Sequence, residues 1–554
     1  MKKAFIIMVF AIFGLNTTKT MAHDFEAAYN GTTIYYKITS SSAPFTVEVT
    51  YKGNLWSDFF DEYSGNIIIP NTVTYNGNNY TVNAIGEYAF RSCEDVMSVT
   101  VPVSITLIGY GAFNGCTNLT SFIIPNSVTE ISDYAFMYCS NITSISIPAS
   151  VITIGSDVFY ACTSLASIDV DINNPIYSSV EGIMYNKIQD TLLCCPQMKT
   201  GAIIIPASVK MINGNAFIDC TKLTSVVIGD SVTEIGLAAF QGCNGLTAIT
   251  IPNSVVTVGS MAFESCSGLI DVSIGKGVTS LGDLVFYGCT SLTIINVDSN
   301  NNNYSSNEGI LYNKIRDTLI LCPQMKSGAI TIPNTVLTIA YAAFAESAIT
   351  LVTMNDSLLT IGEFAFANCI GLTDVQIPNL VNVIGDAAFQ DCGNLSSVVI
   401  GSSVNSIGGS AFAGCTVLQN ITSLAMNPPM VADWAFYDVP LNASIHVPCY
   451  SVSAYKSATQ WSEFSNYTDC IGVNLNDFET TINMNIYPNP TNDKLFIEGN
   501  DFDKIIIYDL LGKMVLMSGK EKVIDVSKLA RGIYNLQLIT NEDAVVGIKK
   551  VVKQ

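Results

Sequence analysis

Along most of this chain one arrangement of apolar and polar positions returns at a fixed interval, as in "IGYGAFNGCTNLTSFIIPNSVTE" and "IGLAAFQGCNGLTAITIPNSVVT". The interval is the step from Phe113 to Phe136 and from Phe136 to Phe159. A fixed period in the twenties denotes stacked small coils rather than one closed core. The pattern also predicts the parts of a coil. Leu119, Phe122 and Ile124 predict a short strand, and alternation turns Ser121 and Ile123 away from the core. Pro125 cannot donate to a ladder and ends that strand. Phe113 is expected to bury a ring, with Ala112 leaving room for the neighbouring ring. Gly109 stands at the return bend, where Ser132, Asn213, Ala340 and Ala432 replace it in other coils. Such a set asks for a small side chain more than for a positive φ.

Thirteen such units are visible, centred on Phe90, Phe113, Phe136, Phe159, Phe217, Phe240, Phe263, Phe286, Phe344, Phe366, Phe389, Phe412 and Phe436. Eleven carry Cys three residues later, and Ser347 and Val439 stand there in the other two. A longer repeat is superposed. The segment "VDINNPIYSSVEGIMYNKIQDTLLCCPQMKTGAIIIP", which starts at Val170, returns from Val297 as "VDSNNNNYSSNEGILYNKIRDTLILCPQMKSGAITIP". Each copy follows four coils and reads as a β-hairpin inserted into the stack and projecting from it, near 169–205 and 296–332. Residues 23–80 alternate apolar and polar and predict a β-rich N-terminal cap. The repeats then occupy 81–437, a C-terminal cap 438–475, a linker 476–481, and a second β-rich domain 482–554. The expected fold class is mainly β: a solenoid of thirteen coils with two hairpins, followed by a C-terminal β-sandwich.

Composition adds the compartment. Lys2 and Lys3, the apolar stretch Ala4–Leu15 and the site Thr20-Met21-Ala22 have the layout of a signal peptide spanning 1–22. That apolar stretch is too short for a membrane span, and no longer one follows. The net charge is −21; the leader contributes +3 and residues 476–554 contribute −1, leaving −23 on residues 23–475. Such a body repels phosphate backbones, which argues against a nucleic-acid partner.

The strand residues of the unit fit L-x-x-L-x-L, and I-G-x-x-A-F-x-x-C-x-x-L-x-x-I-x-I-P resembles the BspA-like family of bacterial surface leucine-rich repeat proteins. The resemblance covers about residues 67–437. It implies export and a binding role, adhesion to host matrix proteins or to other bacteria, with a structural surface scaffold as the alternative. Residues 482–554 resemble a second family, the C-terminal sorting domain of type IX secretion. The matching residues are Tyr487, Pro488, Asn489 and Pro490; Asp509, Gly512 and Lys513; Gly532 and Tyr534; and Lys549 and Lys550. This implies a small β-sandwich read by the secretion machinery, and a final place at the outer-membrane surface or outside the cell. The expected partners are therefore that machinery and extracellular or cell-surface proteins.

Candidate chemistry is sparse. Equivalent cysteines on successive coils point in parallel rather than at one another, so the eleven repeat cysteines are read as buried free thiols. Cys194, Cys195 and Cys322 fall on hairpin strands, as buried thiols or, for the first two, a vicinal bond. Cys449 and Cys470 bracket the C-terminal cap of an exported chain and are expected to form a disulfide. Asp171 and Asn173, and again Asp298 and Asn300, have the alternate-oxygen spacing that opens a Ca²⁺ loop; the usual Gly and Glu further on are missing, and the same residues also build turns. No other cofactor is expected. On the outward strand face the binding candidates are Ser121, Ser144, Ser167, Ser225, Thr250, Asp271, Asn296, Asp374 and Gln376; on the hairpins they are Tyr177, Tyr185, Tyr304 and Tyr312. Two histidines and no nucleophile or metal motif give no material for an active site, so the expectation is not an enzyme.

Overall fold

The computed structural model describes residues 22–53, 62–467, 485–498, 502–508, 514–539 and 545–554. It is mainly β with almost no helix, a solenoid of about 17 turns. Thirteen turns carry the A-F unit. The remaining rungs are Gly65–Ile68, Gly201–Ile204, Gly328–Thr331 and Asn466–Tyr467, which pair in parallel with repeat strands but lack that unit. Two compact units divide the chain: Met1–Ile315 with Cys322–Lys326, and Arg316–Leu321 with Ser327–Gln554.

In the first unit each coil contributes three hydrogen-bonded steps. The longer strand pairs in register with its equivalents one coil away, as Ser144↔Ser167 and Ile145↔Phe122 do. A two-residue strand does the same on another face, through Leu107–Ile108, Glu130–Ile131 and Thr153–Ile154. Between them the A-F turn forms its own ladder: Phe90 N donates to Ala112 O (2.7 Å) and Phe113 N to Ala135 O (2.8 Å). This third ladder depends on a backbone that the sequence pattern hides. Two residues per turn lie in the left-handed region, among them Tyr88 (φ 57°) and Ser92 (φ 56°), Tyr134 (58°) and Tyr138 (62°). Few non-glycine residues adopt that conformation, and here repeated inter-coil bonds hold it. At the return bend the expectation of smallness holds for a steric reason. A Cβ on Gly259 would lie 2.6 Å from the Gly236 carbonyl carbon, so one coil's backbone packs on the next.

The core is a column of rings. Phe90, Phe113, Phe136 and Phe159 stack nearly parallel, with centroids 5.0, 5.3 and 6.1 Å apart; Phe217, Phe240, Phe263 and Phe286 form a second stretch at 4.7, 5.1 and 5.6 Å. Tyr63 closes the N-terminal end. It is buried, its ring lies 4.6 Å from Phe90, and its hydroxyl donates to Thr50 O (2.8 Å) in the sheet Phe25–Tyr29, Thr32–Ser40, Thr46–Thr50, Asn78–Ile85.

The repeat and hairpin cysteines are free and, except for half-buried Cys194, buried. Apart from Cys93 and Cys220, which bond Arg91 O and the Cys195-Pro196 carbonyls, the repeat thiols donate to the phenylalanine carbonyl of the preceding coil: Cys116 Sγ to Phe90 O (3.0 Å), Cys266 Sγ to Phe240 O (3.0 Å), Cys392 Sγ to Phe366 O (3.1 Å). The thiol column is therefore a hydrogen-bonded seam as well as packing. Burial pushes Cys266 and Cys415 up to about 12 and Cys369 up to about 11. Since the thiolate is the reactive form, among the described residues a maleimide reagent should modify at most Cys194 in the native protein and all 14 free cysteines after denaturation. Rapid native labelling of several thiols would contradict this.

The insertions differ from the expected projecting hairpins. Tyr177–Val180 and Ile183–Asn186 pair antiparallel; Thr191–Cys194 then pairs antiparallel with Ile183–Asn186 and parallel with Met211–Ile212. The hairpin thus lies within the short-strand ladder, because only there do its edges find partners. Its anchor is Asn174, completely buried. Asn174 Nδ2 donates to Pro148 O (2.8 Å) and Val151 O (2.9 Å), and Oδ1 accepts from Ile176 N and Tyr177 N (2.9 and 2.8 Å). Asn301 makes four equivalent bonds at the second insertion.

The second unit is built from coils of the same kind, with Phe344, Phe366, Phe389, Phe412 and Phe436 stacked 4.8 to 5.7 Å apart. Trp461 and Phe464 close that column, each ring 5.3 Å from Phe436, and Trp461 Nε1 donates to Pro429 O (3.1 Å). Cys449 is disulfide-bonded; Cys470 lies outside the described residues, as do the leader up to residue 21 and the linker 476–481. Residues 485–554 have their own core around Leu495, Ile505, Leu536 and Val551, between sheets of three and four strands.

Candidate binding surface

The long strands carry the outward face. In Ser144–Ile147 burial alternates strictly, with Ser144 and Ser146 exposed and Ile145 and Ile147 buried. Because the rungs pair in register, outward residues line up in columns: Ile123, Ser146, Asp169 in the first four coils, and Val227, Thr250, Ser273, Asn296 in the next. Small side chains between larger edges leave a groove. The first, about 510 Å³, is lined by Ser121, Ile123, Ser144, Ser146, Asp169 and Asp171. The second, about 630 Å³, is lined by Val227, Ala248, Thr250, Ser273, Asn296 and Asp298. The two are the same place in the two copies of the longer repeat.

Of the residues expected on this face, Ser121, Ser144, Thr250 and Asn296 line the grooves, with Asp171 and Asp298 at their ends. Ser225 and Asp271 stand half-buried on the same strands. Ser167 is also half-buried, with the hairpin turn packed against it, so that a Cβ on Gly182 would lie 2.8 Å from Ser167 Cβ. In the second unit Asp374 and Gln376 are exposed. The face is less bland than its hydroxyls suggest, since Ile123 is 83% and Ile204 77% exposed. Each groove therefore offers an aliphatic or hydroxyl floor with acidic or amide groups at one end.

The hairpin tyrosines stand elsewhere. Tyr185 and Tyr312 are buried, which corrects the reading of them as surface anchors. Tyr177 and Tyr304 are half-buried, and their hydroxyls accept from Ile154 N (2.9 Å) and Leu281 N (3.0 Å). Each thereby caps the open edge of a short-strand ladder, a role that only topology reveals. Asp171 Oδ1 accepts from Asn173 N and Nδ2 (2.8 and 3.1 Å), and Asp298 Oδ1 does the same with Asn300, so these oxygens build a local turn. Among the described residues no three His, Cys, Asp or Glu side chains gather as a metal cluster.

In the C-terminal domain Asn489 ties its loop to the last strand. Its Nδ2 donates to Lys550 O (2.6 Å) and its Oδ1 accepts from Val552 N (2.8 Å). Tyr534 is buried and donates to Ala530 O (2.7 Å). Tyr487 is exposed and donates to Glu498 Oε1 (2.7 Å), and Lys549 and Lys550 are exposed. Pro488 and Pro490 both follow cis peptide bonds, and Gly532 begins the strand Gly532–Ile539. Asp509, Gly512 and Lys513 lie outside the described residues.

Comparison with known proteins agrees with this layout. A model of the BspA type leucine rich repeat region matches in six copies, over residues 64–180, 186–309 and 321–442. A model of the secretion system C-terminal sorting domain matches residues 485–554. Similar solved structures include a leucine-rich repeat protein from Bacteroides ovatus (24% identity, 72% of this chain and 94% of that one, TM-score 0.38) and one from Eubacterium ventriosum (25% identity, 62% and 89%, TM-score 0.44). Another is the pneumococcal vaccine antigen PcpA (20% identity, 81% and 99%, TM-score 0.36). No curated protein matches. Among the described residues no helix is long and apolar enough to cross a membrane.

Proposed function

Because the chain belongs to the BspA type leucine rich repeat family and carries a secretion system C-terminal sorting domain, we propose that it is a non-enzymatic adhesin that grips extracellular proteins along its outward strand face. The sorting domain directs export to the outer-membrane surface or the extracellular space, so its contacts are made outside the cell. The observation that carries the reading is the pair of equivalent grooves, one in each copy of the longer repeat. Duplicated sites of modest depth suit repeated weak contacts, whose combined strength exceeds either alone. The acidic ends, Asp169 and Asp171 in one groove and Asp298 in the other, favour a basic or hydroxyl-bearing segment of a partner. Matrix proteins of a host and surface proteins of other bacteria are the two partner classes.

Ser146→Arg with Ser273→Arg fills both grooves without touching the inward residues. Purified mature chain should bind one of those partner classes saturably, and the double variant should bind it at least roughly tenfold more weakly, the loss of a desolvated contact of about 1.4 kcal/mol. Binding unchanged by both substitutions would reject the grooves. No binding to any partner, together with concentration-dependent self-assembly, would replace this reading by the structural scaffold.

A further inference from the structure

The phenylalanine column is interrupted at the first insertion. The turn there is Cys195-Pro196-Gln197-Met198 and has no A-F ring. Between the coil of Phe159 and that of Phe217 this leaves a cavity of about 470 Å³, distinct from the grooves. We propose that this cavity is a carbohydrate-binding site.

The break leaves donors unused. In the preceding coil Tyr134 N, Phe136 N and Tyr138 N each donate to the next turn. The equivalent N–H groups of Asp157 and Phe159, both lining the cavity, face no such turn and make no hydrogen bond to the described residues. Acceptors stand on the same wall. Asp133 and Asp157 line the cavity, each with one carboxylate oxygen engaged: Asp133 Oδ1 by Ser156 N (2.7 Å) and Asp157 Oδ1 by Asn215 Nδ2 (2.8 Å). Gln197, 8% exposed, lines it too, and its Oε1 has no hydrogen-bond partner among the described residues. A buried amide oxygen without a partner costs about 1–3 kcal/mol, which a ligand donor would relieve. Hydroxyl groups both donate and accept, and so match a wall of free N–H groups, carboxylates and amides. An ammonium ion would leave the N–H groups unmet. Val158, Met184 and Leu193 supply apolar wall for the C–H faces of a sugar ring. At the rim Tyr160 pairs edge-on with Tyr138, centroids 5.9 Å apart, and Tyr138 is 47% exposed, an aromatic surface of the kind on which such faces rest.

The second insertion shows that this chemistry is not required to build the junction. At the matching places of the second copy, Asp133, Asp157, Asn213 and Asn215 become Ser260, Leu284, Ala340 and Ala342, and Tyr138 becomes Ser265. The hairpin, its buried asparagine and its edge-capping tyrosine are kept. Gln197 and Tyr160 are kept there as Gln324 and Tyr287, so what belongs to the first copy alone is the set Asp133, Asp157, Asn213 and Asn215, with Tyr138 at the rim.

These counterparts supply the test. Mature protein is applied to an array of host glycans and bacterial polysaccharides, which separates the two sources, and bound saccharides are titrated calorimetrically. Asp157→Leu with Asn215→Ala gives the first junction two of the residues of the second. The expected result is a bound saccharide class and a loss of roughly tenfold or more in the double variant, the scale of a hydrogen bond to a charged group. Tyr138→Ser should lose a few-fold, and an unchanged melting temperature certifies the fold. The groove variant Ser146→Arg/Ser273→Arg should bind the saccharide as wild type does, which keeps this proposal separable from protein adhesion. No saccharide bound by the wild type, or equal binding by the double variant, overturns it.

Discussion

A chain ending before Asn485 should be held inside the envelope, with no repeat body detectable at the cell surface. The expectation rests on residues 485–554 being the segment matched as a secretion sorting domain and on how that segment is built. Its final strand Val545–Lys553 is the edge of a four-stranded sheet and pairs with Gly532–Ile539 over nearly its whole length. The loop around Asn489 clamps the other side. Besides the two Asn489 bonds, Thr491 N donates to Val552 O (2.8 Å) and Gln554 N to Thr491 O (2.9 Å). The chain end and the "YPNP" segment are therefore one structural feature, and it presents Tyr487, Lys549 and Lys550 to solvent. A reader that recognises it loses everything on truncation. Asn489→Ala removes two of the clamping bonds, at about 1 kcal/mol each, and should reduce display partially while leaving the domain folded. Surface immunostaining with protease accessibility measures both. Equal staining of truncated and complete chains would sink the assignment.

How much of this was legible in advance follows from which interactions are periodic. The Phe and Cys positions announce the solenoid because each coil buries the same set, and the strand alternation placed Ser121, Ser144, Thr250 and Asn296 on the outward face. The grooves themselves were not legible, since they arise from side-chain size across three or four coils in register. The left-handed pairs such as Tyr88 and Ser92 carry no residue preference, because inter-coil hydrogen bonds rather than glycine hold them. Tyr177 and Tyr185 lie on the two strands of one hairpin, yet one caps a ladder edge and the other is core. Their fates depend on where the hairpin docks. Asn174 stands three residues from Asp171 in one polar stretch, yet burial separates them into an anchor with four bonds and a turn former.

The thirteen phenylalanines are alike in sequence but not in energetic weight, and the ring column predicts their order. Phe240 lies between Phe217 and Phe263 at 4.7 and 5.1 Å, with interplanar angles of 9° and 2°, and is completely buried. Phe240→Ala should therefore lose the full transfer and cavity terms, about 3–5 kcal/mol, and also weaken the contact with both neighbouring coils. Stability in a stacked repeat is close to a sum of nearest-neighbour terms, so the lesion should open locally. Amide exchange should accelerate in the coils of Phe217, Phe240 and Phe263 and stay slow near Phe90. Phe159 stands at the interruption. Its one stacked neighbour, Phe136, is 6.1 Å away, and a cavity already lies beside it. Less packing is present there to lose, so Phe159→Ala should cost roughly half as much, toward the lower end of the range for core truncations. Urea unfolding of the two variants compares them directly. A cost at Phe159 equal to that at Phe240 would mean that the insertion supports its flanking coil as fully as an A-F turn does, and the column would have no weak point.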